Sequence, residues 1–205
     1  MSELFDHLCT LFADGHSREV EDLLTDGKLA ETDRMTPAAV LMAVVDRPKP
    51  TVLLTQRPNN MRDHPGQVAF PGGKLDPGED AVTAALREAE EELALPRDAV
   101  RVIGTSDLYE TGTGFAVTPV MAVIPPDLPL VPSPSEVAAW FEAPLAMLLE
   151  PASWSEQEIF WKGRMRRYFE LDYDGFRIWG VTAAILINLS KRIDLRKFDP
   201  DFRSL

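Results

Sequence analysis

The stretch from Arg57 to Pro96 constrains this chain more than any other. A loop rich in Pro, Gly and Asn over 57–78 runs straight into a segment whose apolar Val82, Leu86, Ala89 and Leu93 keep helical spacing. Because proline disfavours helix at the residue before it, one helix is predicted over Glu79 to Leu95, stopped by Pro96. A loop of that length inside a compact chain is uncommon unless it serves a function. It holds Gly72, Gly73 and Gly78, where a backbone bends sharply or approaches a ligand closely, and a short strand is predicted over Gln67 to Phe70. On the helix, Glu88, Glu91 and Glu92 fall at i, i+3 and i+4, which places three carboxylates on one stripe. Glu90 points elsewhere and reads as a solvated charge.

Taken alone, such a stripe is most simply a solvated acidic face, since like-charge neighbours cost only about 0.2–0.5 kcal/mol per pair. The adjoining loop changes that reading. From Thr55 to Lys74 it carries Arg57, Arg62 and Lys74 against Asp63, a local +2 in a chain of net charge −12. Arginine forks grip phosphate oxygens, while a hard cation such as Mg²⁺ is shared between a few carboxylates and substrate phosphates. A basic loop facing an acidic helix is the arrangement that phosphoryl transfer requires. Singly, Arg57 and Arg62 read equally well as surface charge, and His64 as a structural loop residue.

The remaining sequence bounds the setting. With 205 residues, one compact domain is expected. The excess of 33 Asp and Glu over 21 Lys and Arg argues against neutralising nucleic-acid phosphates as a main task. Cys9 is the single cysteine, so neither an internal disulfide nor a Cys/His zinc set is available. The acidic N-terminus does not look like a secretory signal, and Val181 to Leu189 falls well short of the ~20 apolar residues of a membrane span. A cytoplasmic protein with no membrane and no nucleic-acid partner is expected.

Residues 1–30 are predicted as an N-terminal helical extension, with Leu4, Phe5, Leu8, Leu11 and Phe12 at helical spacing and a second short pattern at Val20, Leu23 and Leu24. The domain proper is expected over 31–205. Strands are predicted at 38–45, 51–54, 100–104 and 116–124, a short helix at 144–149 opening on Pro144, and a closing helix at 180–193. The segment 159–173 alternates polar with aromatic residues, and Asp174-Gly175 signals a hairpin. The fold class expected is α+β, a mixed sheet with helices packed on it. The N-terminal helix and the segment near Phe160 and Trp161 suit a homodimer interface as readily as a core.

Gly73, Glu79, Arg87, Glu88, Glu91 and Glu92 stand at the spacing G-x5-E-x7-R-E-x2-E-E, which resembles the Nudix box. The run LLTQRPNNMRDHPGQVAFPGG is similar to the loop signature of the coenzyme A pyrophosphatase branch of that family, on Leu53, Leu54, Thr55, Arg57, Arg62, Gly66, Phe70, Pro71, Gly72 and Gly73. Weaker resemblance extends the match from about Ala38 to Ile193. It implies an α/β/α sandwich around a central mixed β-sheet. It also implies metal-dependent hydrolysis of coenzyme A or its derivatives to 3′,5′-ADP and 4′-phosphopantetheine. By the same resemblance Glu88, Glu91, Glu92 and the Gly73 carbonyl would hold Mg²⁺ or Mn²⁺, and Glu79, Arg87, Glu88 and Glu92 would form the catalytic set. Arg87 would orient carboxylates such as Glu79 or Glu91, and Arg57, Arg62, Gly66, Phe70 and Gly72 would meet the substrate. Water would attack phosphorus, activated by a carboxylate, either Glu88 or a loop residue such as Glu110.

Two positions depart from the pattern. Ala94 stands where the box has glycine, which predicts a helix end built differently, with Pro96 making the stop. Pro58 replaces a small residue beside Arg57 and stiffens the loop, which bears on substrate choice. Two other readings follow: a hydrolase of the same class acting on ADP-ribose or a dinucleotide, and a catalytically silent nucleotide-binding module.

Overall fold

The computed structural model describes residues 3–30, 32, 34–61, 64–161 and 163–197. The helices are α1 (Glu3–His16), α2 (Ala81–Leu93), α3 (Leu145–Leu148) and α4 (Val181–Arg192). The first eight strands are β1 (Thr36–Val45), β2 (Thr51–Gln56), β3 (Val68–Ala69), β4 (Gly72–Lys74), β5 (Arg101–Thr105), β6 (Tyr109–Glu110), β7 (Phe115–Ile124) and β8 (Ala139–Pro144). A separate three-stranded sheet is formed by β9 (Ser155–Trp161), β10 (Arg164–Tyr173) and β11 (Phe176–Trp179).

β1 is the axis of the larger sheet. It runs parallel to β7 from Thr36 opposite Phe115 to Val45 opposite Ile124, and antiparallel to β2 and β4 at its two ends. β2 extends the sheet through β3 and β8, and β7 extends it through β5 and β6, all antiparallel. The sheet is therefore mixed, as expected.

Side chains alternate across a strand, and β1 sends one set to each face. Ala39, Leu41, Ala43 and Val45 pack with Ala84, Ala85, Ala89 and Leu93 of α2. Ala38, Met42 and Val44 belong to the opposite core, with Leu8 and Phe12 of α1 and Ile185 and Leu189 of α4. Alanines on both α2 and β1 let the helix lie close to the sheet, which matters for the site described below. The result is a central sheet with α2 on one face and α1 and α4 on the other.

The second helical pattern at Val20, Leu23 and Leu24 does not form a helix. Residues 17–26 run as an irregular strap, with a turn at Ser17, bends at Arg18 and Glu21 and a positive φ at Asp22, followed by a single 3-10 turn at Gly27–Leu29. Side chains of α4 take over the backbone pairing that a helix would have supplied. Asn188 accepts from the Leu24 amide at 2.7 Å and donates to its carbonyl at 2.9 Å, and Arg192 donates to the Arg18 carbonyl. Asp174 and Gly175 both take positive φ in the β10–β11 turn, as a two-residue hairpin loop requires. Among the described residues, no helix is long and apolar enough to cross a membrane.

Candidate active site

α2 begins two residues later than the pattern predicts, and the shift matters chemically. Asp80 is the N-cap, its side chain accepting from the Thr83 amide at 2.8 Å, so Glu79 stands just ahead of the helix. From there its carboxylate meets the guanidinium of Arg87 side-on, through two bonds of 3.0 Å. The Asp76 amide also donates to it. These bonds, from Arg87 first and Asp76 second, hold the Glu79 carboxyl below the usual carboxylate range.

Arg87 is saturated by carboxylates and backbone. Beyond Glu79, its Nη1 bridges Glu88 at 2.9 Å and Glu91 at 3.1 Å, and its Nη2 donates to the Lys74 carbonyl at 3.0 Å. One planar fork thus ties the loop, β4 and two turns of α2 into a fixed frame.

The expected single stripe of three glutamates is split by depth. Glu91 faces solvent, its side chain 56% exposed, whereas Glu88 is largely covered and Glu92 is 6% exposed. Glu88 and Glu92 are one helical turn apart and point toward the sheet. Burial, then repulsion from Glu91 and Glu136, raises the Glu88 carboxyl against the opposing bond from Arg87. Burial pushes Glu92 up to about 8, aided by the charges of Glu88 and Glu136 and opposed by Arg57 and the Gly72 amide. Burial beside two further negative charges favours a proton or a cation at Glu92 over the bare carboxylate.

The loop side is built to leave room. A Cβ at Gly73 would lie 2.5 Å from Cδ of Glu88, so only glycine lets that carboxylate settle against β4. A Cβ at Gly72 would lie 2.7 Å from Cα of Val40, so β4 reaches β1 only with glycine there. The Gly72 amide faces the Glu92 carboxylate and helps to offset its rise. Gly66 has φ 67° and packs against Asn59, shaping the turn. Phe70, an expected substrate contact, is buried in the core on the α1 and α4 side and supports the loop from beneath. Arg62 lies outside the described residues.

Two polar atoms at this site are buried without a hydrogen-bond partner: Nε of Arg57 and Oε2 of Glu92. Leaving such groups unpaired costs about 1–3 kcal/mol each, more when they are charged, so their retention points to a ligand-facing role. Among the described residues, no three carboxylate, imidazole or thiol groups converge as a closed ligand set. Arg87 accounts for this by drawing Glu88 and Glu91 to itself. The donors available to a cation are nonetheless all hard oxygens, and the orphaned Glu92 Oε2 together with the Gly73 cradle fits Mg²⁺ or Mn²⁺.

Glu136 was not singled out from the sequence. Its loop is pinned to the end of α2, with the Val131 amide on the Leu93 carbonyl and the Ser133 amide on the Glu92 carbonyl, both at 2.8 Å. That fixture brings the Glu136 charge to bear on both Glu88 and Glu92. Nothing local marks it, because the loop between β7 and β8 has no periodicity to read. Glu110, the loop carboxylate expected from the sequence, instead packs against Gly27. The end of α2 also differs from expectation: Ala94 adopts the left-handed cap itself, at φ 53° and ψ 31°, with its amide on the Glu90 carbonyl at 2.8 Å.

Comparison with known proteins places these features in context. The NUDIX domain family matches residues 35–162. A protein of Escherichia coli (strain K12) described as "Uncharacterized Nudix hydrolase NudL" is 46% identical over 167 residues, 81% of this chain and 87% of its own. Among solved structures, the chain is similar to a Nudix hydrolase from M. smegmatis, RenU, at 26% identity and TM-score 0.49, covering 62% of this chain and 81% of that one. A C. elegans Ap4A hydrolase is similar at 26% identity and TM-score 0.47, over 54% and 81% of the two chains.

Proposed function

The chain belongs to the Nudix family, and we propose that it hydrolyses the diphosphate of coenzyme A or its derivatives, releasing 3′,5′-ADP and 4′-phosphopantetheine or its acyl form. One observation carries this reading. Arg57, within the loop that resembles the coenzyme A signature, is brought beside Glu92 with its Nε buried and unpaired. An arginine so held offers a diphosphate a fork that solvent does not already occupy.

The proposed roles follow from position. Arg57 draws one phosphate toward α2, with Arg62 and Gly66 on the same loop. Gly73, through its carbonyl, and Glu88, Glu91 and Glu92 hold Mg²⁺ or Mn²⁺, and Arg87 and Glu79 keep these carboxylates in register. When bound, the metal supplies charge neutralisation for the diphosphate and acidifies water. Glu136, on a separate element from the ion-paired set, takes the proton as water adds to phosphorus and the bridging P–O bond breaks. Replacing Glu136 by Gln lowers kcat by about 100-fold or more, with Mn²⁺ binding retained. Equal loss of metal affinity would instead make Glu136 a ligand. The single cysteine agrees with work in a reducing cytoplasm.

The decisive experiment incubates the purified chain with coenzyme A and, separately, ADP-ribose, with Mg²⁺, with Mn²⁺ and with chelator, and identifies products by mass. Release of 3′,5′-ADP from coenzyme A only with metal is expected. Cleavage of ADP-ribose alone would move the assignment to another nucleoside diphosphate derivative, with buried Pro58 at the start of the 58–61 turn as the cause to test. Binding of either compound without turnover would leave a silent nucleotide-binding module.

A further inference from the structure

We propose that Thr182 of α4, on the face of the sheet opposite α2, is a positioning residue for the reaction: its hydroxyl fixes the peptide from which Arg57 is aimed. This rests on Arg57 being the phosphate fork proposed above, and it adds a residue remote from the glutamates of α2. β3, which ends the Arg57 loop, is two residues long and, among the described residues, pairs only with β2. The Arg57 amide donates to the Gln67 carbonyl at 3.0 Å, and the Thr55 hydroxyl donates to the Ala69 carbonyl at 3.1 Å. In an antiparallel pair, the residue between two bonded positions turns its own amide and carbonyl outward. Val68 is that residue, and it is fully buried, so its carbonyl needs a partner from elsewhere in the fold. The Thr182 hydroxyl supplies one, donating at 3.0 Å across 114 residues of sequence.

A helix does not dictate that bond. Threonine in a helix commonly turns its hydroxyl onto the carbonyl three or four residues before it. Thr182, the second residue of α4 and 5% exposed, bonds out of its own helix instead. Gly180 brings the start of α4 that close to the loop: it takes φ 68°, and a Cβ there would lie 3.2 Å from Nε2 of Gln67. Valine has nearly the shape of threonine and would fill the same place, so what the hydroxyl adds is the fixed position of the Gln67–Ala69 peptides. Because the Arg57 amide hangs from the Gln67 carbonyl, one residue away, a shift there carries to the guanidinium whose Nε stands buried and unpaired beside Glu92. Misplacement by about an ångström, from a residue remote from the chemistry, is enough to be felt at the reacting centre.

The test compares Thr182→Val and Thr182→Ser with the wild-type chain, on whichever compound of the substrate panel that chain hydrolyses. The panel decides the coenzyme A reading on the wild-type chain alone, so the two proposals fail separately; if it finds binding without turnover, the dissociation constant for coenzyme A replaces KM. Thr182→Val is expected to raise KM by about 10-fold with kcat changed by less than about three-fold, because Arg57 holds the diphosphate in ground and transition state alike. Thr182→Ser keeps the donor and returns KM to within about two-fold of wild type. In an Arg57→Ala background, Thr182→Val moves KM by less than about two-fold, since it acts through Arg57. A role in folding alone would instead lower Tm and the active fraction in both backgrounds and leave KM where it was. Hydrogen exchange reads the loop without any substrate: the Arg57 amide exchanges faster in Thr182→Val and at the wild-type rate in Thr182→Ser, with the α2 amides unchanged. An unmoved KM in the valine chain, effects of Thr182→Val and Arg57→Ala that simply add, or an Arg57 amide that exchanges no faster overturns the proposal.

Discussion

At Gly73 one methyl group decides the geometry of the site. A Cβ there would stand 2.5 Å from Cδ of Glu88, and neither β4, hydrogen-bonded to β1, nor α2, packed through alanines, has slack to retreat. The Glu88 carboxylate must move instead, by roughly an ångström. Misplacement on that scale costs about 100-fold in rate, so Gly73→Ala is expected to lower kcat/KM by about that factor while leaving the melting temperature within a few degrees. Ala94 is the opposite case. Its Cβ in the left-handed region costs about 1–2 kcal/mol, and Pro96 two residues on did not relieve it. Ala94→Gly is expected to add about 1 kcal/mol of stability, raising Tm by about 2–4 °C in a chain of this size. Differential scanning calorimetry of the two chains checks it, and an unchanged Tm would mean the cap carries no strain. The glycine spacing was legible in the sequence because it records a steric requirement, whereas the fate of Ala94 depended on whether the surrounding packing tolerated a local cost.

Between elements, legibility followed the range of the interactions. β1, β2, β7, α2 and α4 announce themselves by apolar runs or helical spacing, since each carries its own burial pattern. β4, β6 and β8 do not: the first two have three and two residues, β4 and β8 exist through pairing with strands distant in sequence, and β6 is a two-residue pairing with the start of the adjacent β7. Residues 17–26 mimic helical spacing but find Asn188 and Arg192 instead. Glu136 was hidden for the same reason, since only the pinning of its loop to the end of α2 brings it to the site. Arg87 shows the converse. Its partners Glu79, Glu88 and Glu91 were within reach of sequence reasoning, but the planar fork that serves all three, and the Lys74 carbonyl, is a property of the assembled loop and helix. Lysine offers one point charge and no fork. Arg87→Lys is therefore expected to lower kcat/KM by about 100-fold through displaced carboxylates, with a larger effect on kcat than on KM. An effect confined to KM would place Arg87 in substrate binding.

Across the whole molecule, one ion pair joins the connection after β5 to the end of α4. Arg192 meets Asp107 through two bonds of 2.9 and 2.7 Å, both side chains largely buried. The same guanidinium reaches the carbonyls of Gly15 and Arg18, so the pair also anchors α1 and the strap. The bond from Arg192, outweighing the cost of burial, holds the Asp107 carboxyl below its ordinary value. The sign follows from linkage. A carboxyl depressed in the folded state binds its proton more readily in the unfolded chain, so it contributes stability above the unfolded pKa near 3.9 and loses it as pH falls through the lower folded value. Asp107→Asn leaves Arg192 buried without its counter-charge, which costs about 3–5 kcal/mol near neutral pH. Once acid has protonated Asp107 in the native chain, the two proteins carry the same charge at this position and nearly the same shape, so their difference in stability should close. Urea unfolding of both chains from pH 7 down to pH 3 reads this directly: the gap is constant to about pH 4.5 and narrows below. A gap that persists unchanged at the acid end would mean Asp107 acts through packing and hydrogen bonding alone, and the electrostatic tie between α4 and the strap would have to be carried by Arg192 and backbone carbonyls.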